Sequence, residues 1–320
     1  MIHRDYADYA WEQASALLAI DSPAGFTSRA AQWVQEAFAS LGFAANITNK
    51  GGVLIDLGGR DEEDGLLLEA HTDTLGGMVS QIKGSGRLKL TKIGGMRAEN
   101  GEAENARIYT RDGRIYEGTL QLINASVHVN PEYKTAKRDF DTTEIVLGED
   151  VHSAEDVRKL GIEVGDFVCF EPRTRKTASG YLKSRFLDDK LSVGILLGLA
   201  KSLADNKITP ARRVYAHITV YEEVGHGAAF VPENLESMLA VDMGCIGKDL
   251  KCDEHTLSIC AKDAGGPYDY ELTSKLIEMA KAAELGGAVA IRANGTDNIS
   301  EMKKILSIPI IGINKMQDST

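Results

Sequence analysis

Two adjacent carboxylates, Glu222 and Glu223, stand in the stretch YEEVGHGAA, between a strand-like run and a glycine-rich turn. Such a pair suits hydrolysis because one carboxylate can bind a cation while its neighbour, a few ångströms away, accepts a proton. On its own the pair is a weak signal. The pair becomes informative when other polar residues are also found where predicted strands end.

Three further polar groups interrupt apolar runs at the predicted ends of strands and helices. His71 and Asp73 end the run LLLEAHTD, and the two-residue period of a strand points both side chains the same way. Asp188 and Asp189 precede a predicted helix, and Asp242 ends the run LAVD. Each group also has an ordinary interpretation, such as a helix N-cap for one aspartate or a histidine bonded to a neighbouring carboxylate.

These groups taken together predict a metal site. Ligands of open α/β sheets collect at the carboxyl ends of the strands. Carboxylates gathered in one crevice repel one another unless a cation neutralises them. One imidazole with several carboxylates suits divalent ions such as Zn²⁺, Co²⁺ or Mn²⁺. In a two-metal site one carboxylate bridges the ions while another, uncoordinated, takes a proton from water.

The surrounding sequence predicts an α/β fold that can position these groups. Helical periodicity covers much of residues 6–42. Two short strands follow, of which the second is a continuous apolar run that suggests burial on both faces. An alternation of strands and helices resumes after residue 170. Residues 233–244 predict a short helix and then a strand. Between about residues 78 and 170, short alternating stretches predict a small antiparallel barrel or sandwich.

The simplest architecture is therefore discontinuous along the chain. We expect residues 1–77 and 171–320 to form one α/β domain, with a mixed sheet and helices on both of its faces. Residues 78–170 are expected to form an inserted β-rich domain. Length supports this division, because 320 residues suffice for about two domains.

Composition excludes several classes of partner. Lys and Arg total 36 against 47 for Asp and Glu, a formal charge of −11, and no basic run stands out, which argues against nucleic acid and anionic membranes. No segment reaches the ~18 apolar residues of a membrane span, and the first residues lack the apolar run of a secretory signal. The four cysteines have no CxxC spacing and are expected to be reduced thiols. We therefore predict a cytoplasmic protein.

Four stretches of the chain resemble the ordered motifs of a known family. AHTDTLGG, RFLDDKLSVG, YEEVGHGAA and AVDMG are similar, in order and spacing over about residues 6–272, to those of the tetrahedral or glutamyl aminopeptidases, which are cytoplasmic dinuclear metallopeptidases. NKGGVLIDLGG and AKDAGGPYDYE also resemble a bacterial subgroup associated with osmoprotectant dipeptide clusters. The resemblance implies cleavage of N-terminal residues from short peptides with two divalent ions, Zn or Co. It also implies homo-oligomers, from dimers to hollow dodecamers, with contacts from the inserted domain.

The resemblance further implies a role for each polar residue. Asp188 would bridge the two metals, and Glu222 would be the general base. Asp73 would orient the ligating imidazole without touching a metal, and Asp189 would support the bridge. The implied metal ligands are His71 and Asp242 for one ion, Glu223 for the other, and Asp188 for both.

The C-terminal part departs from the family pattern. The family carries a further histidine ligand after a GTD-type turn and a strand; here the turn Gly295–Asp297 and the strand-like IPIIGI occur, but no histidine follows His255. The resemblance therefore predicts a weaker metal position at Glu223, with Asp318 or a neighbouring subunit's histidine as candidate replacements. A catalytically impaired scaffold or assembly subunit is the alternative function.

The last ~45 residues bear a second, shorter resemblance. MAKAAELGGAVAIRANGTDNI and IPIIGINK are similar to a stretch of barrel-fold epimerases that act on N-acetylmannosamine 6-phosphate. The rest of such a barrel has no counterpart in the chain, so a phosphosugar enzyme is the least favoured hypothesis. Metal content together with hydrolysis of aminoacyl-anilides separates the three functions.

Overall fold

The structure is a computed structural model that describes residues 4–250, 252–253, 256–285, 291–294 and 310–313. The chain divides into two compact units, Met1–Asp242 and Met243–Thr320. His255, the turn Gly295–Asp297 and Asp318 lie outside the described residues. In the part of the chain that the structure describes, no helix combines the length and apolar character that crossing a bilayer requires.

The secondary structure of the described residues alternates between helices and short strands. The α-helices are α1 (Arg4–Leu18), α2 (Ser28–Ser40), α3 (Ala98–Gly101), α4 (Ala154–Lys159), α5 (Leu187–Asp205) and α6 (Tyr270–Leu285). The strands of the first unit are β1 (Ala44–Ile47), β2 (Val53–Asp56), β3 (Asp61–His71), β4 (Gly76–Ile82), β5 (Leu88–Ile93), β6 (Asn105–Tyr109), β7 (Ile115–Leu122), β8 (Thr143–Leu147), β9 (Phe167–Phe170), β10 (Arg175–Lys176), β11 (Leu182–Lys183), β12 (Arg212–Thr219) and β13 (Leu235–Ala240). Those of the second unit are β14 (Ser258–Ile259), β15 (Lys262–Asp263), β16 (Gly266–Pro267), β17 (Ile291–Asn294) and β18 (Ile310–Ile313).

A five-stranded mixed sheet is the centre of the first unit. Its strand order is β1-β2-β12-β3-β13; β12 and β13 both run parallel to β3, whereas β2 runs antiparallel to β12. The residues Leu67 to His71 of β3 are all buried, as expected for a central strand covered on both faces. Because β3, β12 and β13 are parallel, their carboxyl ends meet at one edge of the sheet.

Helices α1, α2 and α5 contribute to a hydrophobic core on one face of this sheet. Phe38 of α2 and Leu197 of α5 are fully buried there beside Ile55 and Ile218 of the strands. Helix α5 approaches α1 closely at Gly194, where a Cβ atom would lie 2.5 Å from the main-chain oxygen of Ala10. A glycine is therefore required at this helix crossing.

Strands β4, β5, β8, β7, β6 and β9 form a closed antiparallel barrel with its own core. The structure thus confirms the predicted fold class, an α/β fold with a mixed sheet and a small barrel. It also selects the barrel over the sandwich. The barrel strands begin at Gly76 and end at Phe170.

One predicted element is wrong. Residues 233–244 contain no helix; the chain enters β13 at Leu235, and its side chains alternate between partly buried and exposed, the two-residue period of a strand. Parallel pairing with β3 outweighs the helix-like start at Glu233 and Asn234. In the second unit, the predicted strand in IPIIGI is confirmed as β18, which pairs in parallel with β17.

Candidate metal centre

The predicted site residues of the first unit converge at the carboxyl edge of the sheet. His71 is the last residue of β3, and Asp242 follows β13 by two residues. Glu222 and Glu223 lie in a single turn of 3-10 helix just after β12. Asp188 and Asp189 lie at the start of α5. All these residues belong to the same compact unit.

Their ligand atoms form two overlapping groups. His71, Asp188 and Glu223 offer one set of three atoms that all lie within 4.8 Å of one another, and His71, Asp189 and Asp242 offer another. All four predicted metal ligands therefore belong to one cluster. Asp189, for which only a supporting role was predicted, joins them.

His71 is almost fully buried, and both of its ring nitrogens are engaged. Nδ1 lies 2.9 Å from the main-chain oxygen of Asp73, and Nε2 lies 3.0 Å from Oδ1 of Asp188 and 3.6 Å from Oε2 of Glu222. Burial lowers the pKa of His71, but hydrogen bonds to Asp188 and Asp73 outweigh it and raise the pKa to about 11. A carbonyl acceptor at Nδ1 fixes the tautomer whose Nε2 lone pair can bind a cation.

Asp73 connects the imidazole to the acid pair. Its carboxylate is fully buried, and it accepts the main-chain N–H groups of Glu222 at 3.1 Å and Glu223 at 3.2 Å. Its Oδ1 also lies 3.5 Å from Nδ1 of His71. The predicted role of orienting His71 stays a prediction. The contacts with both glutamates, which the sequence did not indicate, show that Asp73 also holds the turn that carries them.

The turn after β12 is tight. Tyr221 adopts a left-handed backbone conformation with φ of 91°, and Gly225 does so with φ of 87°. A positive φ is unusual for a residue with a side chain such as Tyr221, and it allows a sharp change of chain direction. Burial raises the pKa of Glu223 to about 7, assisted by the charge of Asp188, and burial also raises the pKa of Glu222.

Asp188 and Asp189 present their carboxylates from a non-helical start of α5. Both residues have φ and ψ values outside the helical range, and the peptide bond between them is cis. Asp189 is fully buried, and its Oδ2 accepts the N–H of His71 at 3.1 Å. Burial raises the pKa of Asp189 to about 8 against a hydrogen bond from Ser192, and the charge of Asp242 adds to the rise.

The donor set fits a divalent cation. The second oxygen of Asp189 is buried without a hydrogen-bond partner among the described residues, although such groups are normally satisfied. Five carboxylates other than Asp73 converge on one imidazole, and the raised pKa values of Asp189 and Glu223 report their burial and mutual repulsion. Oxygen atoms with one imidazole nitrogen are the ligands that Zn²⁺ and its neighbours accept.

His226, which follows the acid pair in the sequence, contacts Lys50. The Lys50 ammonium lies 2.9 Å from Nδ1 of His226 and also donates to its main-chain oxygen, while the imidazole stacks on the Tyr221 ring. Lys50 lies in the turn between β1 and β2. No local pattern in the sequence relates it to a residue 176 positions away.

The fold thus places a group of possible metal ligands at the carboxyl edge of the sheet. The family model described as M42 glutamyl aminopeptidase matches residues 51–314. The chain belongs to this family, which makes its activity class that of an aminopeptidase. The resemblance found in the four motifs is thereby confirmed.

Individual relatives agree with this family. The Bacillus subtilis protein named "Putative aminopeptidase YhfE" is 41% identical over 266 residues, which are 83% of this chain and 77% of that protein. The fold is shared with a solved structure of the Pyrococcus horikoshii TET1 peptidase, which can assemble into a tetrahedron or a large octahedral shell. The TM-score is 0.75 at 21% identity, over 95% of this chain and 89% of that one.

The C-terminal resemblance to epimerases also has a counterpart. A protein of Caldanaerobacter subterraneus named "Putative N-acetylmannosamine-6-phosphate 2-epimerase" is 62% identical over 40 residues, which are 12% of this chain and 17% of that protein. The match covers too little of either protein to define a family.

Proposed function

We propose that the chain is a metal-dependent aminopeptidase that removes N-terminal residues from short peptides by means of two divalent cations, Zn²⁺ or Co²⁺. The observation that carries this proposal is the pair of three-residue donor groups sharing His71 at the sheet edge. Asp188, Glu223 and Asp242 would hold the cations together with His71. When bound, such ions would polarise the scissile carbonyl and acidify the attacking water.

Glu222 is the proposed general base. Its Oε2 lies 3.6 Å from Nε2 of His71, at the rim of both donor groups, and its side chain is about half exposed. As the water oxygen bonds to the carbonyl carbon, the Glu222 carboxylate takes the proton. It then delivers that proton to the amide nitrogen while the C–N bond breaks, which releases the new amine and restores the carboxylate.

The two cation positions are proposed to differ in affinity. Nδ1 of His71 faces the main-chain oxygen of Asp73, so Nε2 alone is left as a ligand atom. The two donor groups share this one nitrogen, and only one position can use it. Among the described residues the other position has carboxylates alone, and we assign the weaker binding to the Glu223 position. Asp189 is a candidate additional ligand beside Asp242.

The charge of the crevice favours the amino end of a peptide. The carboxylates around His71 make this edge of the sheet strongly acidic, and an acidic cleft attracts and orients a cationic group. The α-ammonium group of a peptide is such a group, whereas the C-terminal carboxylate would be repelled.

We also propose that residues 1–77 and 171–320 form the catalytic domain and that residues 78–170 form an inserted domain that serves assembly. The barrel carries exposed apolar side chains after β7, with Val127 about half exposed and Val129 70% exposed. The Pyrococcus relative's assembly into closed shells supports a homo-oligomer, from a dimer to a dodecamer. Light scattering during gel filtration tests this. A cytoplasmic location stays a prediction.

The test of the function is metal analysis combined with a panel of aminoacyl-anilides. We expect the purified chain to bind Zn²⁺ or Co²⁺ and to release aniline from substrates with a free α-amine, but not from the same substrates acetylated on that amine. A chain that binds the metal without hydrolysing any member of the panel is a scaffold. That result would contradict the proposed function.

A further inference from the structure

A buried carboxylate outside the donor groups, Asp21, lies between the barrel and the sheet edge. It follows α1 and is 8% exposed. Nε and Nη2 of Arg107, on β6 of the barrel, donate to its two oxygens at 2.7 and 2.8 Å, and the Tyr109 hydroxyl donates at 2.6 Å. Two parallel charge-assisted hydrogen bonds of this kind fix both position and orientation.

The barrel end of this contact is itself fixed. Nη1 of Arg107 donates to Glu171 at 3.0 Å, so the guanidinium is held by carboxylates on two sides. Arg107 is paired with Cys169 of β9 in the barrel ladder. The wall of the closed barrel therefore supplies a rigid anchor for Asp21.

Asp21 begins a segment, residues 21–24, that pairs with residues 72–74. The Ser22 hydroxyl donates to the Thr72 main-chain oxygen at 2.7 Å, and the Thr74 N–H donates to the Ser22 oxygen at 2.9 Å. The Ala24 N–H completes the pairing by donating to the Thr74 oxygen at 3.2 Å. These contacts lie on both sides of Asp73 in the chain.

The residues just before this segment are held by helix α5. Lys190, the residue after Asp189, is 1% exposed, and its ammonium donates to the main-chain oxygens of Leu17 at 3.1 Å and Ile20 at 2.5 Å. Residues 17–24 are thus tied to the start of α5 and to the barrel. A continuous set of contacts leads from Arg107 through Asp21, and from there to the loop that holds Asp73.

We propose that Asp21 is a positioning residue for the acid pair: clamped by Arg107 and Tyr109, it holds residues 72–74 so that Asp73 keeps the main chain of Glu222 and Glu223 in place. Carboxylates that repel one another need such an external restraint, since a site tolerates errors of only ~0.5 Å. The inference rests on the proposed function for its catalytic consequence.

The competing explanation is that the Asp21–Arg107 pair only stabilises the fold. A buried pair that loses one partner destabilises a protein whatever its location. The test must therefore measure the site itself as well as the stability. Amide hydrogen exchange does this, because the N–H groups of Glu222 and Glu223 are the donors to Asp73.

The experiment compares Arg107→Gln, Asp21→Asn and the double variant with Arg114→Gln. The last removes an exposed Arg–Asp contact, with Asp112, from the same barrel and is the matched control. Tyr109→Phe removes one hydrogen bond to Asp21 while keeping the ion pair, and it replaces any variant that fails to fold. Exchange in peptides covering residues 70–75 and 220–226, Zn²⁺ affinity in competition with a chelator, kcat, KM and Tm are measured on the full chain.

We expect faster exchange in both peptides, weaker Zn²⁺ binding and a kcat lowered about 2- to 30-fold with KM little changed, for either single variant. The double variant should be no worse than the more affected single one, and Arg114→Gln should match the parent. A lowered Tm with parental exchange and Zn²⁺ affinity would overturn the inference. If the parent hydrolyses no peptide, the proposed function fails, and the exchange result alone then decides the positioning role.

Discussion

Two buried acids of the barrel region, Glu104 and Glu144, have surroundings opposite to those of the buried acids at the sheet edge. Glu104 directly precedes β6 and Glu144 lies in β8; both are under 10% exposed, and each is paired with at least one cation. Arg173 and Arg185 lie 2.6 and 2.8 Å from Glu104, and Lys83 lies 2.8 Å from Glu144. Lys83 of the barrel and two arginines that follow the barrel in the chain thus neutralise these buried carboxylates.

At the sheet edge the acids are concentrated instead around one imidazole. The fully buried Asp189 has an oxygen with no hydrogen-bond partner among the described residues, and its pKa rises to about 8. Burying carboxylates beside one another is costly, and the raised pKa of Asp189 reflects that cost. The contrast supports the proposal that the acids at the sheet edge are assembled for a cation.

The largest expected effect is the loss of catalytic rate in Glu222→Gln, at the sheet edge. Removing the proton acceptor while keeping the shape should lower kcat roughly 10²- to 10⁴-fold. The metal content should remain at the parental value, because Glu222 is not a proposed ligand. Steady-state kinetics and metal analysis on the same preparation check both. A loss of metal would mean that Glu222 and Glu223 have been assigned the wrong way round.

Zn²⁺ should stabilise the protein by binding at the sheet edge, so the stabilisation should depend on the acids of that edge and not on those of the barrel. Excess Zn²⁺ at about 100 times its Kd is expected to add about 2.7 kcal/mol to the free energy of unfolding. Thermal melts with and without a chelator measure this. The gain should disappear in Asp188→Asn and persist in Glu144→Gln. A gain of equal size in both variants would locate the binding outside the proposed site.

A smaller effect on the same site is expected for Asp73→Asn. The amide keeps the size of the side chain, but only one oxygen remains to accept the two N–H groups of the acid pair. We expect Zn²⁺ affinity to fall about 10- to 100-fold, as is usual for residues that orient ligands. Competition with a chromophoric chelator measures it, with Glu144→Gln as the control. An unchanged Zn²⁺ affinity would mean that Asp73 stabilises the fold without positioning the metal ligands.

The smallest effect is expected for a buried acid of the barrel. Its removal should change the stability of the protein and leave catalysis unchanged. Glu144→Gln removes a buried carboxylate that Lys83 contacts at 2.8 Å, and it should lower the free energy of unfolding by about 1 kcal/mol. The kcat and the metal content should not change, because Glu144 and Lys83 both belong to the barrel and contact none of the proposed ligands. Chemical denaturation and peptidase assays check the two halves of this prediction. A drop in kcat of more than twofold would show that this barrel acid also affects catalysis, which would contradict the distinction between the two regions.

The sequence predicted this contrast only in part. Acids at the ends of apolar strands could be recognised because parallel strands bring their carboxyl ends together, and the same rule predicted the sheet. The alternation in residues 233–244 was misread because polar residues at its start resembled a helix N-terminus. The contact between Asp21 and Arg107 spans 86 residues, and that of Asp73 with Glu222 spans 149. Contacts of that range arise from the packing of whole elements, so no local pattern could predict them.

The acids at the carboxyl edge of the sheet are proposed to be assembled so that they bind divalent cations. Crystals of the full chain grown with Zn²⁺ and measured on both sides of the zinc absorption edge test this proposal directly. We predict an anomalous peak bonded to Nε2 of His71 and to carboxylate oxygens of this edge, and a second, weaker peak beside Glu223. Zinc peaks confined to other parts of the molecule, with His71 still bonded to Asp188, would contradict the account.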